Sequence, residues 1–336
     1  MSVRSPNTVA VPSRRGMTLV ELLVVMGILA SLLGLAVTGL RGRKSQKGGA
    51  EMVAAVLSAA QGRALGVAEG GAAILTPDPT QAGACTTLFD AVMQPLIEAT
   101  VTGVPPTPPS ATTAAASVTP TNGDDVQRAY KILLNGTQDT PGVAPPTAWL
   151  DFNGSTSAVS FRTSLGQTIN NTVWPKAPGG GAFNALLAQY PAKSSTQVDL
   201  DEAVVIDLRY SGIGHDISTA YGSLNGKGSI AVVFDRVGRV AEVIQQVPDP
   251  GASASPGTAQ PAIPVGLIFF LVALRDDVAN PANAVASLAS LDSLWVVLEP
   301  QTGRVFVADN VPVSASDSTS LQAARAKAIQ GIGAGQ

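Results

Sequence analysis

An apolar run from Leu22 to Leu40 carries no charged residue, and it sits directly behind Arg14-Arg15-Gly16-Met17-Thr18-Leu19-Val20-Glu21. This placement constrains the chain more than any other feature. Helix formers fill the run: Leu22, Leu23, Met26, Leu29, Ala30, Leu32, Leu33, Leu35 and Ala36. As a helix it is roughly 30 Å long, the thickness of a hydrocarbon core. The run therefore predicts a helix that crosses a membrane. Basic residues flank it on both sides, Arg14 and Arg15 before and Arg41, Arg43, Lys44 and Lys47 after, so charge bias alone orients it poorly. Glu21 is the anomaly, because a carboxylate at the front of such a run is costly to desolvate and needs a partner.

An ordinary secretory signal has a small-residue cleavage site behind its apolar region, and none precedes the charged cluster at Arg41. A basic pair, a glycine, a glutamate and then a long apolar helix form another pattern. Over Arg14 to Leu40 it closely resembles the class III signal of type IV prepilins and type II secretion pseudopilins. The resemblance implies cleavage between Gly16 and Met17 by a prepilin peptidase, followed by N-methylation of Met17. The membrane helix then stays on the mature chain, with the leader in the cytoplasm and the C-terminal part exported. Gly16 suits the scissile position because a residue without a side chain lets a peptidase come close. The family most often has Phe after the cleavage site, and Met17 departs from that. Glu21 lies one helical turn beyond Met17. In the resembled family this glutamate reaches the N-terminal amine of a neighbouring subunit and so sets axial register in a filament.

The helix should continue past the membrane. Ala50, Val53, Ala54, Leu57, Ala60, Ala64, Leu65 and Ala68 recur at spacings of three and four, with Glu51, Gln61, Arg63 and Glu69 between them. Such a stripe packs on a globular head. Arg41 to Gly49 is the stretch expected to weaken the helix. Gly27, Gly34 and Gly39 read equally as soft points or as close-packing positions between helices.

Beyond the helix the pattern is β-rich. Ala72-Ala73-Ile74-Leu75 reads as a strand. Val126 to Leu134 is a short helix or strand, Ala158 to Arg162 alternates as a strand does, and Phe183 to Tyr190 reads as one or two helical turns. The best patterned part is the C-terminal third. Ala203 to Tyr210 and Gly266 to Leu274 are strand candidates. Ser229–Phe234 with Arg239–Ile244, and Leu294–Leu298 with Arg304–Ala308, read as two hairpins. Segments rich in proline, near 100–121 and 248–264, and a loop around Thr140 to Pro146 cannot build a core. With aromatic residues at only 4 %, the expected core is modest. Both hairpins close on a Gly-Arg step, Gly238-Arg239 and Gly303-Arg304, and the helix carries a Gln61-Gly62-Arg63-Ala64 element. These features resemble the H-type minor pseudopilins, which share a head with FimT-like minor pilins.

Little points to catalysis. Cys85 is the single cysteine, so no disulfide forms within the chain, and its small-residue surroundings fit a half-buried apolar role. His215 is the single histidine; it precedes Asp216, but no nucleophile elbow accompanies it. Gly179-Gly180-Gly181 lacks the lysine and hydroxyl of a phosphate loop. Asp199, Asp201 and Glu202, and Asp276 with Asp277, match no EF-hand spacing. Calcium enters only because major pseudopilins of the resembled group hold it. Removal of Arg4, Arg14 and Arg15 with the leader takes the formal net charge from −3 to about −6, so no nucleic-acid partner is expected.

The sequence thus predicts an α+β chain. Residues 1–16 form a cytoplasmic leader, 17–70 a membrane-spanning and assembly helix, and 71–336 a periplasmic antiparallel β head on which the helix packs. The implied role is that of a structural subunit with no enzymatic activity and no cofactor. It would be a minor subunit of a type II secretion pseudopilus, anchored once in the inner membrane. Its partners would be the prepilin peptidase, other pilin or pseudopilin subunits and an inner-membrane assembly platform. The rival reading is a minor pilin of a type IV pilus or DNA-uptake system with a binding head; a tethered enzyme is a weaker third. The Gly16→Val chain is expected to accumulate uncleaved, because a branched side chain blocks approach to the scissile bond. Mass spectrometry that finds its N-terminus at Met17 would overturn this reading of Gly16.

Overall fold

The computed structural model describes residues 19–103, 116–122, 128–134, 149–151, 183–214, 222–226, 228–247, 261–279, 283–313 and 317–334. The chain divides into two compact units, residues 1–43 and 44–336. In the first, the described residues form the opening part of helix α1, whose bounds are Leu19–Ala64. Helix α1 runs unbroken through Arg41–Gly49, where a weak point was expected. Gly49 has a different use. A β-carbon there would lie 2.7 Å from Val204 Cγ1, so the glycine lets the helix approach the sheet closely.

The second unit holds two antiparallel sheets among its described residues, one of ten strands and one of five. The large sheet is built from β1 (Gly71–Pro77), β2 (Ala84–Val92), β8 (Ala192–Asp199), β9 (Val204–Ile213), β10 (Ile230–Phe234), β11 (Val240–Ile244), β12 (Pro261–Ala262), β13 (Ile268–Leu274), β14 (Leu294–Leu298) and β15 (Val305–Asp309). Its order is β12-β11-β10-β1-β2-β9-β13-β14-β15. The long strand β2 pairs with β9 at its start and with β8 over the rest. The small sheet has the order β4-β3-β7-β5-β6, with β3 at Ile97–Gly103, β4 at Ala116–Pro120, β5 at Ala129–Leu134, β6 at Trp149–Asp151 and β7 at Phe183–Gln189.

Strict alternation along the strands sorts side chains to the two faces of the large sheet. Ile268, Phe270 and Val272 of β13, with Leu294, Val296 and Leu298 of β14, join the cluster that takes in Ala50, Val53, Leu57, Ala60 and Ala64 of α1. The intervening Phe269, Leu271, Trp295 and Val297 face the other way, toward Leu288 of α3 (Ala286–Ala289) and Leu321, Ala324 and Ala328 of α4 (Ser318–Ala334). On that same side, Ala72, Ile74, Ala231 and Val233 meet Tyr130 and Ala188 of the small sheet. Val278 of the short helix α2 (Arg275–Ala279) covers Val205 and Ala273. Both faces are buried, which is why these strands read as unbroken apolar runs.

Several expectations need correction. Phe183 to Tyr190 is not helical: β7 is a central strand with β3 and β5 on either side. Its residues suit a helix locally, and two ladders of backbone hydrogen bonds override that preference. The proline-rich segment near 100–121 contains the end of β3 and the whole of β4, where Val118 is buried. The segment near 248–264 likewise contributes β12. The core is larger than the low aromatic content led us to expect, because aliphatic residues fill both faces. Helix α4 was missed altogether. Alanine dominates its apolar stripe, and Asp317 caps it by accepting from Ser320 N–H at 2.8 Å. The strand read at Ala158–Arg162, the loop around Thr140–Pro146 and the run Gly179–Gly181 lie outside the described residues.

Leu57, fully buried between α1 and the large sheet, should carry a large share of the stability of the head. In the full chain in detergent, Leu57→Ala is expected to cost about 2–5 kcal/mol, as for a cavity in a packed core. Met52→Ala, at a position 37 % exposed on the same helix, should cost far less. Equal unfolding midpoints for the two variants would contradict this packing.

Candidate functional site

The residues singled out for processing and assembly are at the start of the chain. Gly16 and Met17 lie outside the described residues. Glu21 falls in the first turn of α1, which begins at Leu19. Beyond it Leu23, Val24 and Met26 expose 66 %, 53 % and 63 % of their surfaces, so this stretch of helix presents apolar side chains that its own unit leaves uncovered. Among the described residues, no helix is long and apolar enough to cross a membrane. Apart from those three, the side chains of Leu19 to Lys44 are outside the description, and the span expected over Leu22–Leu40 rests on the sequence.

Within the second unit, α1 is fastened along its length by polar contacts as well as by the apolar stripe. Ser45 Oγ donates to Asp201 Oδ2 at 2.7 Å, and this bond is the main reason that the Asp201 carboxyl titrates below its usual range. Gln46 is fully buried; its amide, suitably oriented, donates to the Asp292 carbonyl at 2.8 Å and accepts from Leu274 N–H at 3.2 Å. Arg63 pairs with Asp90 of β2.

The strongest junction is at Gln61. Its Nε2 donates to the Gly238 carbonyl at 3.1 Å and to the Thr302 carbonyl at 2.9 Å. The two hairpin turns that close on Gly-Arg steps therefore meet each other over the end of α1. Val240 N–H donates to the Pro300 carbonyl at 2.8 Å and joins them directly. Both glycines have positive φ, +80° at Gly238 and +69° at Gly303. A β-carbon on Gly303 would lie 2.0 Å from the Gly238 carbonyl oxygen, so no other residue fits there. The sequence elements that looked like separate family marks thus form one contact. Their types were legible; their meeting was not, because the acceptors are backbone carbonyls.

The remaining candidates are tied into structure. Cys85 is fully buried, not half-buried, and burial pushes its thiol up to about 12, so it is unreactive at neutral pH. Asp207 is fully buried, takes a two-pronged salt bridge from Arg209 at 2.9 and 2.7 Å, and accepts from Ser287 Oγ at 2.6 Å. A serine beside a carboxylate needs a base to become a nucleophile, and the described neighbours include none. His215 lies outside the described residues. Asp199 accepts from Thr87 and Gln197, while Asp277 is held above the usual carboxylate range by burial and then by Asp276 and Asp292. Among the described residues no three histidine, cysteine or acidic side chains gather to hold a metal. Arg325 of α4, which no sequence motif marks, donates to the carbonyls of Tyr210, Gly214 and Gly222 at 2.6 to 2.9 Å, and burial lowers its pKa to about 10.

Residues 12–37 match the family model described as the prokaryotic N-terminal methylation motif. No curated protein and no solved structure matches the chain. The Gln61 junction gives its own test. Gln61→Ala leaves two carbonyls short of a donor and should cost about 1 kcal/mol. Gly303→Ala forces a strained backbone as well as a clash and should cost about 2 kcal/mol or more. A Gly303→Ala chain that unfolds at the parent midpoint would show that the turns do not meet.

Proposed function

We propose that this type IV pilin-like chain, marked by an N-terminal methylation motif over residues 12–37, is a minor structural subunit of a type II secretion pseudopilus. The motif carries the proposal. It implies processing by a peptidase and assembly with other pilin-like subunits. Cleavage at Gly16–Met17 leaves α1 at the front of the mature chain, with Met17 as its methylated N-terminus.

The chemistry of assembly follows from one charge. A free amine on Met17 and the carboxylate of Glu21 both enter an apolar medium, where each is costly alone. Pairing Glu21 with the amine of the neighbouring subunit satisfies both and fixes the axial step between subunits. The exposed Leu23, Val24 and Met26 supply apolar surface for the same helix-to-helix contact. The helix anchors the chain once in the inner membrane, with the head in the periplasm. The size of the head favours a minor subunit. The head holds two sheets, and its bulk suits a tip or priming position better than a uniform fibre.

Deletion of the gene is expected to abolish protein secretion; a defect confined to adhesion or DNA uptake would instead select a type IV pilus. Glu21→Val should insert into the membrane as well as the parent, since the desolvation cost is gone, while its incorporation into sheared filaments falls several-fold. A Val variant that assembles at the parent level would refute the register role of Glu21.

A further inference from the structure

The two sheets leave a cleft of about 640 Å³ between them. That is the size of a small-molecule site and far above a packing void. Its walls are apolar, with Met93, Pro95, Val233 and Ala241 among them, and Leu96 and Ile263, 45 % and 53 % exposed, also line it. It also holds a charged cluster. Glu242 of β11 accepts from the Tyr130 hydroxyl through Oε1 and from Lys131 Nζ through Oε2. These three side chains are 5 %, 1 % and 7 % exposed. Burial, and then the Glu242 charge, hold the Tyr130 hydroxyl well above its usual range, so it stays a donor. An apolar set of the same volume would avoid the desolvation cost of this cluster, so the fold itself does not require it.

The balance of charge indicates what the cleft accepts. Among the described residues, Glu242, Glu69 and Asp235 line it against one cation, Lys131. Asp235 accepts from the Val237 and Arg239 amides of the turn through Oδ1 alone. Each Glu242 oxygen has a second acceptor site beyond the bond it makes. An anion meets repulsion here, and a neutral donor gains less from the carboxylates than a cation does.

We propose that this cleft binds a small amphipathic cation. Its apolar body packs among Met93, Leu96 and Ile263, and its protonated amine donates to Glu242 without displacing Tyr130 or Lys131. The site is independent of the filament role and stands or falls separately from it.

The test is a calorimetric titration of the full chain in detergent micelles with phenethylamine, phenethyl alcohol and hydrocinnamate. Saturable binding is expected for the amine, with the alcohol about tenfold weaker, as for loss of a charge-assisted hydrogen bond, and the acid weaker still. Ala241→Trp fills the cleft from an exposed position on its wall and should abolish amine binding while the thermal transition persists. Glu242→Gln should weaken the amine about tenfold and leave the alcohol unchanged. If Glu242→Gln fails to fold, the comparison of amine with alcohol and the Ala241→Trp chain decide the matter. No saturable amine binding, equal binding of amine and alcohol, or undiminished binding to Ala241→Trp would each overturn the proposal.

Discussion

Ala50, Val53, Leu57, Ala60 and Ala64 of α1 have no exposed surface, and the strands of the large sheet are what cover them. The helix has to come close for this to work, so its buried stripe is mostly small, with Gly49 against Val204 and Ala60 against Gly71 at tight points. Apolar contact alone fixes neither the rotation nor the slide of a helix on a sheet. The polar fasteners do that: Ser45 to Asp201, Gln46 to two backbone groups, Arg63 to Asp90, and Gln61 to two hairpin turns. The second face of the sheet is then free to bury α3, α4 and the small sheet, and the head becomes layered about one set of strands.

The strands β9, β10, β11, β13, β14 and β15 were legible in the sequence because long aliphatic runs end at turn residues such as Gly238 and Gly303. Strand β1 was legible for the same reason. Strand β7 was not. Phe183-Asn184-Ala185-Leu186-Leu187-Ala188-Gln189 prefers a helix when read locally, and its partners lie more than fifty residues away in the chain. Strand β4 hid among threonine, serine and proline, with Val118 as its only core contribution. Helix α4 hid because alanine gives a weak apolar signal, although Asp317 followed by Ser320 is a capping pattern that could have been read.

Site residues divided in the same way. The N-terminal methylation motif was legible because it is written in consecutive residues, and it is what matches over residues 12–37; the roles proposed for Gly16, Met17 and Glu21 rest on it. The Gln61 junction and the Glu242 cleft were not, since each joins side chains and backbone across the chain; Lys131 and Glu242 are 111 positions apart. A cleft lined from two sheets exists only after the sheets have packed.

The proposal stands on cleavage before Met17, which would leave the assembly helix near the front of the mature chain. Intact-mass and N-terminal peptide analysis of the wild-type chain from inner membranes tests it most directly. The expected product is a mature chain that starts at Met17, carries one methyl group on its amine, and retains the whole of α1. A chain that keeps residues 1–16, or one cut behind Leu40 so that the apolar run is lost, would contradict it.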